Sequence, residues 1–117
     1  MNTTPIDALP KEVEIQGIYD CNGINIDGEF LPLYPSLNIV NHSPDGFSWG
    51  YCGSGPAQLA LAILLHFLPV RVALEYYQDF KNEHVAAWPE GEDFTIRLKL
   101  REAVRKIVIR PIVGERC

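Results

Sequence analysis

The sequence predicts an α+β domain: a small, mostly antiparallel sheet packed on one buried central helix at about residues 56–68, with one or two further helices covering it. Three observations carry that expectation. From Ala57 to Leu68 only Gln58 and His66 are polar, so this helix is apolar on nearly every side and has to be enclosed by the rest of the chain. Ahead of it, Asp27–Gly28 sits between short alternating apolar stretches, the pattern of a two-residue hairpin whose central residues both need positive φ. Behind it, Val70, Ala73, Leu74 and Tyr77 recur at helical spacing and place a second helix over Pro69–Lys81. The 117 residues, 47% of them hydrophobic, suffice for a single domain, 1–117, and argue against disorder.

The remaining elements follow in order. Residues 1–10 show no periodicity and read as a loose N-terminal arm. Val13–Tyr19 alternates as a strand, with a bulge expected where Gly17 breaks the alternation. Asp20–Gly23 is turn chemistry. Ile24–Ile26 and Glu29–Leu33 form the hairpin, and Pro32 and Pro35 keep its second strand from a central place. The cluster Asp20, Asn22, Asn25 and Asp27 lacks the spacing and the twelfth-position Glu of a calcium loop, so these are turn residues. Leu37–Val40 reads as a short strand and Asn41–Gly46 as a turn. Phe47–Trp49 then leads, extended, into the glycine loop Gly50, Gly53, Gly55. Pro56 fits the first helical position, with Gly55 or Ser54 as N-cap. Val85–Trp88 reads as a short strand closed by Pro89. Phe94–Arg101 satisfies strand and helix periods at once. The expectation is a strand at Phe94–Arg97, a helix at Leu98–Ile107 and an extended Val108–Ile109.

Composition excludes several functional classes. The longest unbroken apolar run, Leu59–Leu65, is far short of the ~20 residues a membrane span needs. The N-terminus lacks the basic start and apolar stretch of a secretory signal, which makes the cytoplasm the expected setting. Cys21, Cys52 and Cys117 have no C-x-x-C spacing, so neither a disulfide framework nor a zinc site is expected, and the thiols read as reduced. The three His have no ligand spacing either, and no metal or cofactor is expected. The net charge of −5 is unevenly spread: three basic against thirteen acidic residues up to Thr95, then seven against two. The basic end is either a face turned to solvent or to the acidic body, or a patch for nucleic acid or an acidic partner that uses Arg97, Arg101 and Arg105. Nucleic acid is disfavoured by the overall negative charge.

The loop Gly50–Gly55 is the candidate site, with Trp49, Tyr51, Gly53, Ser54, Gly55 and Gln58 as its ligand-binding residues. Two readings stay open. Converging amides and the helix N-terminus can hold a phosphate, a carboxylate or a partner's acidic side chain. Alternatively the glycines only turn the chain and let the helix approach the sheet. The order G-x-x-G-x-G is neither a P-loop nor a dinucleotide fingerprint. Cys52, near a helix N-terminus, is a weak candidate nucleophile with His42 as its base. The C-G-S-G string departs from the papain-like pattern, because Gly55 stands where that nucleophile would be.

The string F-x-W-G-Y-x-G-S-G-P-A-Q-L-A-L-A-I-L over Phe47–Leu64 resembles the hallmark of an uncharacterised domain family of small bacterial, archaeal and viral proteins. The similarity extends to Tyr19, to Asp27–Leu31, to the approach Asn41–Phe47, to Tyr77–Lys81 and to Val85–Pro89, which spans roughly Tyr19 to Ile96. The resemblance brings no assigned activity. Cys52 stands where such proteins usually carry Gly; if the position demands positive φ, a Cys there costs about 1 kcal/mol or more. The leading expectation is a small, non-enzymatic, cytoplasmic interaction protein with a protein partner. The resemblance implies a viral or mobile-element setting and a host protein as that partner. The alternatives are a binder of an anionic small molecule or nucleotide at the glycine loop, and a thiol-dependent enzyme using Cys52.

Overall fold

The computed structural model describes residues 5–109. Four strands form one antiparallel sheet: β1 (Val13–Ile18), β2 (Gly23–Ile26), β3 (Glu29–Phe30) and β4 (Phe94–Leu98), in the order β3-β2-β1-β4. Four helices accompany it: α1 (Tyr34–Leu37), α2 (Ser54–Phe67), α3 (Val70–Glu83) and α4 (Leu100–Ile109).

The register sorts the sheet into two faces. Ile15 pairs with Ile26 on one side and Ile96 on the other, and Val13 pairs with Leu98. These side chains join one core with α2, α3 and α4. Glu14, Gln16, Asn25, Thr95 and Arg97 project from the opposite, polar face, where Asn25 Nδ2 donates to Gln16 Oε1 at 3.1 Å. The β2–β3 hairpin turns at Asp27 (φ 50°) and Gly28 (φ 82°), as its two-residue loop requires. Asp27 also fastens the hairpin to β1: its N–H donates to the Glu14 carbonyl, and its Oδ1 accepts the Glu14 N–H, both at 2.8 Å.

α2 is the enclosed centre, buried without interruption from Gly55 to Leu64. It starts at Ser54, earlier than the expected Pro56, with extended Gly53 before it. Pro56 is therefore the third helical residue. It is tolerated because the first-turn N–H groups have no intrahelical partner. α3 packs along α2 through Ala73, Tyr77, Phe80 and Lys81, and the amphipathic α4 buries Leu100, Ala103, Val104 and Ile107.

Several local expectations are corrected. Gly17 makes no bulge, since β1 runs regularly through it against Phe94. The Phe94 ring lies over Gly17, where an added Cβ would fall 2.6 Å from Cδ1, so the glycine makes room for the aromatic. Leu37–Val40 is not a strand. The chain makes a single turn of helix at Tyr34–Leu37, started by Pro35 and closed by Ser36 Oγ donating to the Leu33 carbonyl at 2.9 Å. Val85–Ala87 is a 3₁₀ turn; its first residue, Val85, and the residue that caps it, Trp88, are both buried and three apart, as that helix aligns them. β3 ends at Phe30, just before Pro32. The doubly periodic segment resolves into strand then helix, with Val108 and Ile109 inside α4 rather than extended. Residues 5–10, expected as part of a loose arm, are anchored: Leu9 is buried and its carbonyl accepts Arg101 Nε at 2.8 Å.

Candidate functional site

The glycine string builds the wall of a cleft. Trp49 fixes the end of the extended approach. Its Nε1 donates to the Pro89 carbonyl at 2.9 Å and to the Glu92 carbonyl at 3.2 Å, and its ring meets Phe94 edge-on with centroids 5.1 Å apart. Gly50 has φ 90°, donates to the Val85 carbonyl at 3.0 Å, and leaves the space a Cβ would take to the main chain of Glu90. Only glycine permits that approach.

Tyr51 turns outward, 41% exposed. Its ring lies across Gly53, where a Cβ would come 2.7 Å from Cε2. Its hydroxyl is 2.7 Å from Ser48 Oγ, and Ser48 itself occupies the room a side chain at Gly55 would need. Gly53, Gly55 and Ser48 together hold one exposed aromatic ring. A second exposed tyrosine, Tyr19, sits on the 3₁₀ turn after β1, where its N–H donates to Asp93 Oδ1 at 2.7 Å. Tyr19 and Tyr51 border an open cleft of about 360 Å³, completed by Trp49, Ser48, Asn22 and Glu90. Among the described residues no basic side chain lines it.

Of the residues expected to bind a ligand, Trp49 and Tyr51 line this cleft, while Gly53 and Gly55 support its wall. Ser54 is exposed on the first turn of α2 and is not part of the lining. Gln58 lies elsewhere. It is fully buried, and its Oε1 accepts the N–H groups of His42 at 2.7 Å and Ser43 at 2.9 Å. Its Nε2 donates to Ser36 Oγ at 2.9 Å and the Val40 carbonyl at 3.0 Å. Two acceptor sites and two donors are thus all used, which leaves Gln58 no capacity for a ligand. It braces the 36–43 segment.

The nucleophilic pair is not assembled. His42 Nε2 is 2.8 Å from Tyr77 Oη on α3. Cys52 is disulfide-bonded, which corrects the expectation of a reduced thiol there, while Cys21 is a free, exposed thiol. Outside glycine, only Asn22 and Asp27 among the described residues have positive φ, so Cys52 carries no strain of that kind. The three arginines expected as an interaction patch tie down the N-terminal segment. Arg97 reaches Glu12 at 3.3 Å, Arg105 reaches Asp7 at 2.8 Å, and Arg101 holds Leu9.

The sequence reading missed Tyr19, Asn22, Ser48 and Glu90. The acidic turn Pro89–Asp93 was the available signal, but nothing in the residue order shows that it meets the glycine loop. Among the described residues no helix is long and apolar enough to cross a membrane, and no group of three His, Cys, Asp or Glu is placed to hold a metal ion.

Fold and site define a small α+β domain, an antiparallel sheet packed on an enclosed helix with a tyrosine-walled cleft at the helix's leading loop. The chain belongs to a family of unknown function, DUF6166, whose sequence profile matches residues 16–109. That match runs through α4, beyond the Tyr19–Ile96 span of the resemblance. No curated protein and no solved structure matches the chain.

Proposed function

We propose that this chain is a binding protein, without a catalytic step of its own, that receives a cationic side chain of a partner protein in the cleft bordered by Tyr19 and Tyr51. The observation that carries this reading is the exposed Tyr51 ring, fixed by Ser48 and Gly53 in a cleft that the acidic residue Glu90 also lines. A cation over a tyrosine face gains roughly 0.5–1 kcal/mol at an exposed site and about 2 kcal/mol when desolvated. A ring already held in place loses little freedom on binding. Glu92 and Asp93 on the same turn add negative potential, which steers basic partners towards the cleft.

The rival reading, an anionic small molecule or nucleotide at the loop, gains nothing from this geometry. Glu90 lines the cleft, Ser48 covers Gly55, and Gln58 is bonded elsewhere. A viral or mobile-element setting with a host protein as partner is the biological form of the proposal and rests on the resemblance of the central string.

The test is an NMR titration of labelled protein with a Gly-Arg-Gly-Arg-Gly peptide, its Glu counterpart and inorganic phosphate. The Arg peptide is expected to move the Trp49 indole and Tyr51 amide signals, and Tyr51→Ala or Glu90→Lys to abolish the response. Movement with phosphate and none with the Arg peptide would replace this reading with the anionic one.

A further inference from the structure

The outer edge of β4 offers a second kind of contact. Among the described residues β4 is the last strand of the sheet, paired to β1 on one side only. Its free main-chain groups follow from the ladder. Glu14 turns its carbonyl towards β2, where it accepts the Asp27 N–H at 2.8 Å. In an antiparallel sheet successive residues turn to opposite sides, so Val13, Ile15 and Gly17 face β4. Their partners Leu98, Ile96 and Phe94 therefore point inward to β1. Thr95 and Arg97 present their N–H and C=O groups at the open edge.

The side chains along that edge have a definite chemistry. Thr95, Arg97 and Lys99 are exposed, and Thr95 and Arg97 share the polar face of the sheet. Arg97 is paired with Glu12, just before β1, at 3.3 Å, and stands opposite Glu14 in the ladder, so both carboxylates come from the β1 side of β4. On the core face, Ile96 is only partly buried. At the Leu98 end, a recess of about 270 Å³ is lined by Leu98 and Ala103 together with His84, Lys99, Lys106, Glu83 and Glu102.

We propose that the open edge of β4 is a docking site for an extended acidic segment of a partner protein, which adds to the sheet as a fifth strand. Main-chain bonds to Thr95 and Arg97 would supply affinity, and alternate side chains would supply specificity. The outward residues of the incoming strand meet Arg97 and Lys99, so acidic residues fit at every second position. The residues between them lie over the partly buried Ile96, so apolar side chains fit there. A second copy of this chain fits less well, because pairing β4 with β4 brings the Arg97 and Lys99 charges of both copies to one edge. Charged residues also guard natural edges against pairing, so a guarded edge is the reading to be excluded.

The experiment is a titration of labelled full-length protein with a capped Gly-Glu-Val-Glu-Val-Glu-Val-Glu-Gly peptide. The controls are its Lys/Val counterpart and a form with the alternate Val amides N-methylated. Equilibrium sedimentation of the protein alone accompanies it. The Glu/Val peptide is expected to shift the Thr95 and Arg97 amides and slow their hydrogen exchange, and N-methylation to abolish both effects. Arg97→Glu, an exposed change on the polar face, is expected to weaken the Glu/Val peptide roughly five- to tenfold and to favour the Lys/Val peptide. Thr95→Pro removes an outward N–H without touching the β1 ladder and is expected to block binding. No response up to millimolar peptide would show a guarded edge and overturn the proposal. So would shifts located elsewhere, or a dimer of the protein alone that Thr95→Pro dissociates.

Discussion

The side-chain oxygen of Gln58 accepts the main-chain N–H of His42 at 2.7 Å, inside a helix that is otherwise apolar. The same amide serves Ser43, Ser36 and Val40, so one buried side chain satisfies a loop that has no ladder partner of its own. Gln58→Ala would leave two N–H groups and a carbonyl without it, at about 1–3 kcal/mol for each group that water does not reach. We expect a loss of about 3 kcal/mol or more in urea unfolding. Gln58→Glu keeps the acceptor but sets an oxygen against the Val40 carbonyl, and should be at least as damaging. A loss below about 1 kcal/mol for the alanine variant would mean that water replaces the amide there.

Gly17 and Phe94 are a coupled pair. The ring lies where any Cβ at residue 17 would go, and it also packs against Trp49 and Trp88 with centroids 5.1 Å apart in each case. Gly17→Ala should cost about 1–3 kcal/mol through overpacking. In a Phe94→Leu background the same change should be close to neutral, because the obstacle is gone. A double-mutant cycle measures this directly, and additive costs would contradict the coupling.

How much of this was legible in advance depended on how local each cause is. The hairpin could be read because Asp27–Gly28 sets its own backbone conformation. The enclosed helix could be read because its composition admits no exposed face. Leu37–Val40 and Val85–Trp88 were misread as strands, where the chain turns at Tyr34–Leu37 and Val85–Ala87. Their form is set by distant partners, Ser36 by the Gln58 amide and Val85 by the Gly50 N–H. The glycine loop showed that something comes close, but not what. Glu90, Tyr51 and Ser48 fill the three spaces, and only their placement turns a flexible-looking string into the wall of a cleft. Gln58 was recognisable as a buried amide in need of partners, while its partners were not. The basic C-terminal stretch was visible as charge, whereas its use in fastening Asp7, Leu9 and Glu12 was not.

Arg101 supplies a test of that fastening. Its Nε donates to the Leu9 carbonyl at 2.8 Å, and Leu9 is 1% exposed. Arg101→Ala should free the segment around Leu9, with a loss of about 1–2 kcal/mol. Limited proteolysis should then cut near residues 7–11 well before the remainder of the chain. Leu9→Ala should produce the same early cut at a larger cost, about 2–5 kcal/mol, because a buried side chain is removed as well. Unchanged cleavage in Arg101→Ala would show that Leu9 is held by packing alone.

His84 gives the chain a pH dependence with a definite sign. It stands at the end of α3, its ring tilted on Phe80 with centroids 5.2 Å apart, in the recess that also contains Lys106, Lys99 and Glu102. Burial, and secondarily the Lys106 charge, hold its imidazole below the ordinary histidine range. Between that lowered value and the unfolded value of about 6.5, the unfolded chain binds more protons than the folded one. Stability therefore rises with pH across the window, is complete above about 6.5, and is lost as pH falls through it towards the folded value. Glu102 is held below the carboxylate range by its hydrogen bond to Lys106, but it is exposed and acts at lower pH. The urea midpoint should accordingly drop between about pH 7.5 and 5.5. His84→Gln should flatten that drop, and Lys106→Gln should reduce it without removing it, since burial is the larger cause. A drop of the same size in His84→Gln would show that His84 is not its source.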